Sequence, residues 1–145
     1  YQRAVVANAK AFARALVDRG LDVAGDPAIG FTETHQVIVR VGYARGAEIA
    51  RRLEDNHIIL NYQAAPDEEG FTASGALRTG VQEMTRFGMG PADFEELAGL
   101  MADCILRGAP VREDVERLRG RFLEMRYCFK GPEADELLEQ LHRLI

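Results

Sequence analysis

The sequence predicts an α+β domain: a small, mostly antiparallel sheet of about three strands, covered on one face by helices. Two observations lead there. Apolar residues recur at helical spacing at both ends of the chain, whereas the middle carries short β-rich runs punctuated by Gly, Pro and Asp. With 145 residues, 47% hydrophobic and 28% charged, the chain has the size and composition of one globular domain with a real core.

Residues 4–19 read as an amphipathic helix, with Val5, Ala9, Phe12, Ala13 and Leu16 on one face and Lys10 on the polar side. Gly20 ends it. Residues 25–34 are loop-like, and residues 35–41 alternate around Val37, Val39 and Val41 as a half-buried strand. A short helix over 44–54 follows, then a buried strand over 57–61 carrying Ile58, Ile59 and Leu60. An acidic turn at 66–70 leads into a third strand over 71–78. Pro91 after Gly90 opens a helix through Phe94, Leu97, Ala98, Met101 and Ile105. A second begins near Val111 and keeps three-four spacing through Leu118, Phe122, Met125 and Phe129. Gly131-Pro132 starts a third, with Leu137, Leu138, Leu141 and Leu144. The Met and Phe stripes read as core. The sheet keeps one face for solvent or another domain.

A net charge of -5 argues against a general nucleic-acid or membrane-surface binder. No apolar run approaches the roughly 20 residues that span a bilayer, and no signal-peptide pattern opens the chain. Cys104 and Cys128 sit in helix-like segments without metal-ligand spacing and read as free thiols of a reducing, cytoplasmic compartment. No His, Cys and carboxylate cluster has zinc spacing, so no metal is expected, and no Gly-rich phosphate loop is present. There are 16 arginines and two lysines, Lys10 and Lys130, and neither lysine suits imine chemistry, which needs a desolvated pocket. The chain begins at Tyr1 without an initiating Met and reads as a piece of something longer.

The most informative stretch is Ser74-Gly75-Ala76-Leu77-Arg78-Thr79-Gly80, with Met84-Thr85-Arg86-Phe87-Gly88-Met89 after it. A strand delivers Arg78 into a glycine-flanked turn. A guanidinium is a planar fork of donors that can hold a carboxylate through two parallel hydrogen bonds, and glycines admit a ligand closely. A site for a small acid such as an amino acid is one reading. A surface arginine in a strand-to-helix loop is the other.

Several segments together resemble the small domain of the serine hydroxymethyltransferases. Tyr1 to Leu16, with Asn8-Ala9-Lys10-Ala11, resembles the helix that opens that domain. Thr32-Glu33-Thr34-His35 is similar to the family's Thr-Asp-Asn-His before a Val-rich strand, and Ile58 to Gln63 to its Ile-Thr-Val-Asn-Lys-Asn. Ser74 to Gly80 resembles Ser-Gly-Ile-Arg-Leu-Gly with one extra residue before the arginine, and Thr85 to Gly88 falls at the Thr-x-Arg-Gly turn. The matches occur in order over about the first 88 residues.

The resemblance implies a fold-type I pyridoxal phosphate enzyme, with residues 1–145 as its single C-terminal small domain. It implies a transferase of glycine, serine and one-carbon metabolism, doing aldol or retro-aldol chemistry on a β-hydroxy amino acid. The family's carboxylate-holding arginine carries over to Arg78. By fixing rotation about the substrate Cα, such a grip lets the bond to be broken stand perpendicular to the cofactor ring. Asn61, Gln63, His35 and Arg86 are further candidates at the folate site or in support of it. Pyridoxal phosphate and its lysine are expected in a large domain of the same chain, so this part alone is expected to be inactive, and the full-length enzyme to be a homodimer. Three departures stand out. Gln63 replaces the family's folate-contacting Asn and Tyr62 its Lys, which leaves tetrahydrofolate open. Phe87 stands at the arginine of the turn, with Arg86 one position earlier. Arg78 to Met89 is more similar to the threonine transaldolases and α-methylserine hydroxymethyltransferases. A stand-alone α+β carboxylate-binding or dimerisation module is the alternative of a different class.

Overall fold

In a computed structural model, residues 1–65 and 73–144 are described. The class is α+β as the sequence predicts: helices pack on one face of a small antiparallel sheet. The sheet has four strands rather than three, β1 (Asp22–Val23), β2 (Gln36–Arg40), β3 (Asn61–Gln63) and β4 (Ala76–Gly80), in the order β1-β2-β4-β3. β1 escaped the sequence reading because two residues carry no periodicity. It is recognisable only from its pairing with β2, where Asp22 lies opposite Arg40 and the two form a 3.2 Å ion pair.

Helix α1 (Gln2–Asp18) buries Val5, Ala9, Phe12, Ala13 and Leu16, the stripe its spacing predicts. Its end is a Schellman turn. Gly20, at φ +89, donates to the Val17 carbonyl, and Leu21 reaches back to Leu16, with both leucines buried. Helix α2 (Gly46–Asp55) turns Ile49, Ala50 and Leu53 inward. Its first residue has to be glycine, because an added Cβ would lie 2.5 Å from the Ser74 carbonyl oxygen. The Gly46 amide donates to that same oxygen, tying the start of α2 to the approach of β4.

The strand expected over 57–61 is displaced to Asn61–Gln63. The cause is the end of α2, where His57 takes the left-handed conformation at φ +63 and Ile58 donates to the Leu53 carbonyl. That second Schellman turn folds Ile58 onto the core and leaves Ile59 85% exposed, so three adjacent apolar residues do not share one strand. The strand expected over 71–78 starts at Ala76 and runs to Gly80. Residues 71–72, and the acidic turn expected at 66–70, lie outside the described residues.

Beyond β4 comes a one-turn helix, α3 (Gln82–Arg86), too short to show in the sequence pattern. Helix α4 (Pro91–Arg107) then packs along α1, with the Phe12 and Phe94 rings meeting edge-on at 5.8 Å. Asp93 secures its start by accepting from the Gly90 amide at 2.9 Å. Helix α5 (Arg112–Gly120) stops well before Phe129. Its predicted continuation peels away because the Arg126 and Tyr127 amides bond the Arg86 carbonyl instead, at 2.9 and 3.3 Å. Met125 and Phe129 are therefore exposed and not core, and Cys128 lies outside any helix. Helix α6 (Pro132–His142) buries none of its residues, so Leu137, Leu138 and Leu141 face outward. Phe94, Met101 and Met89 are core, as their spacing implies. Among the described residues no helix is long and apolar enough to cross a membrane.

Candidate carboxylate site

The sheet's two faces divide the chemistry. Val37 and Val39 of β2 and Leu77 and Thr79 of β4 pair across the sheet on the helix-covered side, all buried. Thr79 is tolerated there because its hydroxyl donates to the Val37 carbonyl at 2.8 Å. Alternate residues point the other way. Arg78 is thus presented on the opposite face, with Ile38 beside it on β2 and Asn61 beside it on β3. Residues directly opposite in antiparallel pairs lie about 4.5–5.5 Å apart, so Asn61 and Arg78 are immediate neighbours. Arg78 is exposed, and its guanidinium makes no ion pair with any described residue.

Two shallow grooves meet at this arginine. One, of about 940 Å³, runs between α2 and β3 and is lined by Glu48, Arg51, Asn61, Gln63 and Arg78. The other, of about 350 Å³, is lined by His35, Gln36, Asn61, Arg78, Gln82 and Glu83. Of the residues singled out in the sequence, Asn61 and Arg78 line both grooves, His35 shares the second and Gln63 the first. His35 is fixed at the start of β2 by its carbonyl, which accepts from the Val81 amide at 3.1 Å. Arg86 lines neither groove. It sits on α3 with its guanidinium 5.4 Å from the centre of the Tyr1 ring, a cation–π contact that ties the start of the chain to this turn.

Sequence reasoning missed three residues that hold the site in place. Asn8, 2% exposed, donates from Nδ2 to the Thr85 hydroxyl and the Met89 carbonyl, both at 2.9 Å. Thr85 passes the chain on to the Val81 carbonyl at 2.7 Å. The Tyr1 hydroxyl donates to the Gln82 carbonyl at 2.8 Å. Together they fasten α3, immediately after the arginine strand, onto α1. The signal was present at Asn8, a polar residue on the apolar face of a helix, which burial makes costly unless it is bonded.

The lysines are elsewhere. Lys10 is half-buried on α1 with its stem against Gly30, rather than fully solvated, and Lys130 is exposed; neither lines the grooves at Arg78. His57 is exposed and its Nδ1 lies 3.1 Å from Glu116. Cys104 is buried on α4, and burial raises its thiol pKa above the usual 9.0 although the Arg52 charge opposes the shift. Among the described residues no group of His, Cys, Asp and Glu could hold a metal ion. The face therefore carries Arg78 and Arg51 together with the carboxylates of Glu48, Glu54 and Glu83 and the amides of Asn61, Gln63 and Gln82, and Arg78 is its candidate group for an anion. Among the described residues neither lysine lines these grooves to form an imine, so the residues present do not fit pyridoxal phosphate on their own.

Comparison with known proteins agrees over nearly the whole chain. The family profile described as serine hydroxymethyltransferase matches residues 1–101. The serine hydroxymethyltransferase of Pyrobaculum calidifontis is 42% identical over 97% of this chain and 33% of its own length. That of Methanopyrus kandleri is 44% identical over 89% of this chain and 31% of its own. Among solved structures, L-threonine transaldolase from Pseudomonas fluorescens in its internal aldimine state superposes with a TM-score of 0.82. It is 32% identical over 95% of this chain and 33% of that one. The chain spans about a third of the length of the relatives it matches.

Proposed function

This chain belongs to the serine hydroxymethyltransferase family, and from that premise we propose that it is the C-terminal small domain of a pyridoxal phosphate enzyme, in which Arg78 holds the carboxylate of the substrate amino acid. One observation carries the reading. Arg78 stands on the face of the sheet opposite the buried Leu77 and Thr79, with its guanidinium unpaired among the described residues, at the junction of two grooves. With no carboxylate among the described residues bound to it, the guanidinium is open to an anionic ligand, for which its bidentate geometry supplies orientation as well as affinity.

Pyridoxal phosphate, when bound, acts as an electron sink for bonds at the amino acid's Cα. The residues that hold it are proposed to lie in the remaining two-thirds of the enzyme, since neither lysine here lines the grooves at Arg78. This part contributes binding and orientation, and by itself it is inactive. Asn61, opposite Arg78 in register, and His35, in the same groove, supply further hydrogen-bonding capacity for the carboxylate. Gln63 lies further along the first groove, where an amide can meet a folate-like cosubstrate. Arg86 braces α3 through Tyr1.

The reaction class is aldol or retro-aldol cleavage at Cα of a β-hydroxy amino acid. Transaldolase chemistry is a second reading, favoured by the likeness to L-threonine transaldolase at a TM-score of 0.82. Cleavage assays of serine, threonine and α-methylserine, with and without tetrahydrofolate and with and without an added acceptor aldehyde, separate the two: folate-dependent serine turnover marks a hydroxymethyltransferase, and threonine cleavage coupled to a new β-hydroxy amino acid built on the added aldehyde marks a transaldolase. The role of Arg78 is tested by Arg78→Ala in the full-length enzyme. Loss of a charge-assisted bidentate contact weakens amino-acid binding about 100-fold while the cofactor's absorbance is kept. Unchanged affinity rules the assignment out.

A further inference from the structure

Gly80 follows Arg78 by two residues on β4, so both belong to the same side of the sheet, opposite the buried Leu77 and Thr79. A side chain at position 80 would cover the strip of sheet next to the guanidinium. Something else covers it instead. A Cβ built on Gly80 would lie 2.4 Å from Oε1 and 3.1 Å from Nε2 of Gln82. The Gln82 side chain therefore folds back from the first residue of α3 and rests its carboxamide where the missing side chain would be. The backbone beneath it is held at both ends. The Val81 amide bonds the His35 carbonyl, and the Gln82 carbonyl accepts the Tyr1 hydroxyl at 2.8 Å. The carboxamide itself has no hydrogen-bond partner among the described residues, and it lines the same groove as Arg78.

We infer that the Gln82 carboxamide is a second substrate contact, placed to meet the hydroxyl-bearing side chain of an amino acid whose carboxylate is held by Arg78. The inference rests on the carboxylate role of Arg78 and adds to it a basis for substrate choice. Two residues along a strand span about 6.6 Å. The amide thus sits over the strip of sheet beside Arg78, in the same groove. It suits a group further out on the same ligand. The chemistry fits as well. A carboxamide offers both a donor and an acceptor, and a hydroxyl is also both, so the pair can bond in either sense. Glycine, with no side chain, presents nothing to the amide. Gly80 is then a specificity device, a residue whose lack of a side chain admits a neighbour's.

The test is equilibrium binding of L-serine and of glycine to the full-length holoenzyme, measured by calorimetry. Gln82 is exposed, so Gln82→Ala leaves the core intact. It weakens L-serine about tenfold, the worth of one hydrogen bond, and changes glycine less than twofold. Gly80→Ala, which keeps the amide but drives it off the sheet, reproduces the same selective loss. Equal weakening of both amino acids, or no change in either, overturns the inference. Arg78→Ala weakens both ligands alike. Selective loss in Gln82→Ala alongside no effect of Arg78→Ala would instead overturn the carboxylate assignment and leave the side-chain contact standing.

Discussion

Replacing Asn8 by alanine removes the polar hub that fastens α3 to α1. The structure sets the magnitude. The groups left behind are on Thr85, 1% exposed, and Met89, 4% exposed, so neither can turn to water, though the Thr85 hydroxyl keeps its bond to the Val81 carbonyl. The Met89 carbonyl and the Thr85 hydroxyl each lose a 2.9 Å donor. A buried group left unsatisfied costs about 1–3 kcal/mol, and a small cavity adds to this, so a destabilisation of about 3 kcal/mol follows. For a chain of this size each kcal/mol lowers the melting temperature by about 3 °C, which gives a fall of roughly 10 °C. Thermal unfolding followed by circular dichroism reads it directly. Thr85→Val in a double-mutant cycle should show a coupling of about 1 kcal/mol with Asn8, since the two share a bond. A fall under about 2 °C, the size of an ordinary surface change, would refute the view that this network holds the turn behind Arg78.

Gly46→Ala should destabilise the fold by about 2–4 kcal/mol, because the new Cβ would press at 2.5 Å on the Ser74 carbonyl, which is backbone and cannot swing aside; chemical denaturation measures it, and a neutral result would show that the approach to β4 yields. A thiol reagent under native conditions should label exposed Cys128 within minutes and buried Cys104 only on unfolding, which peptide mass mapping resolves. Burial raises the Cys104 pKa, so the unfolded chain ionises first as pH passes 9.0. Its contribution is then complete below that pH and lost above it; Cys104→Ala should flatten this alkaline decline in stability.

What the sequence conveyed depended on how local the cause was. Helices α1 and α4 were legible because their apolar stripes and their Gly20 and Gly90-Pro91 punctuation act within a turn or two. Strand β2 was legible from the alternation of Val37 and Val39. The shift of β3 was not, since it follows from His57 adopting a backbone conformation more usual for glycine. Nor was the early end of α5: the spacing of Phe122, Met125 and Phe129 continues, but hydrogen bonds to Arg86, some forty residues away, win over the local preference. At the site, Arg78 was visible through its flanking glycines. Its neighbours were harder. Asn61 was named from the resemblance, but its place beside Arg78 follows from the strand register, and Gln82 enters the same groove only because its side chain turns back over Gly80. Both are consequences of pairing and turning, which no single-residue signal encodes.

Strand β4 is interior, bonded to β2 along one edge and to β3 along the other. The guanidinium is therefore mounted on a plate rather than hung from a hinge. Its reach can be altered by rotating the whole domain or by changing the length of the side chain, but hardly by flexing the segment that bears it. On the proposed carboxylate role, room for a bulkier acid comes from trimming what borders this strand, with the strand itself left alone.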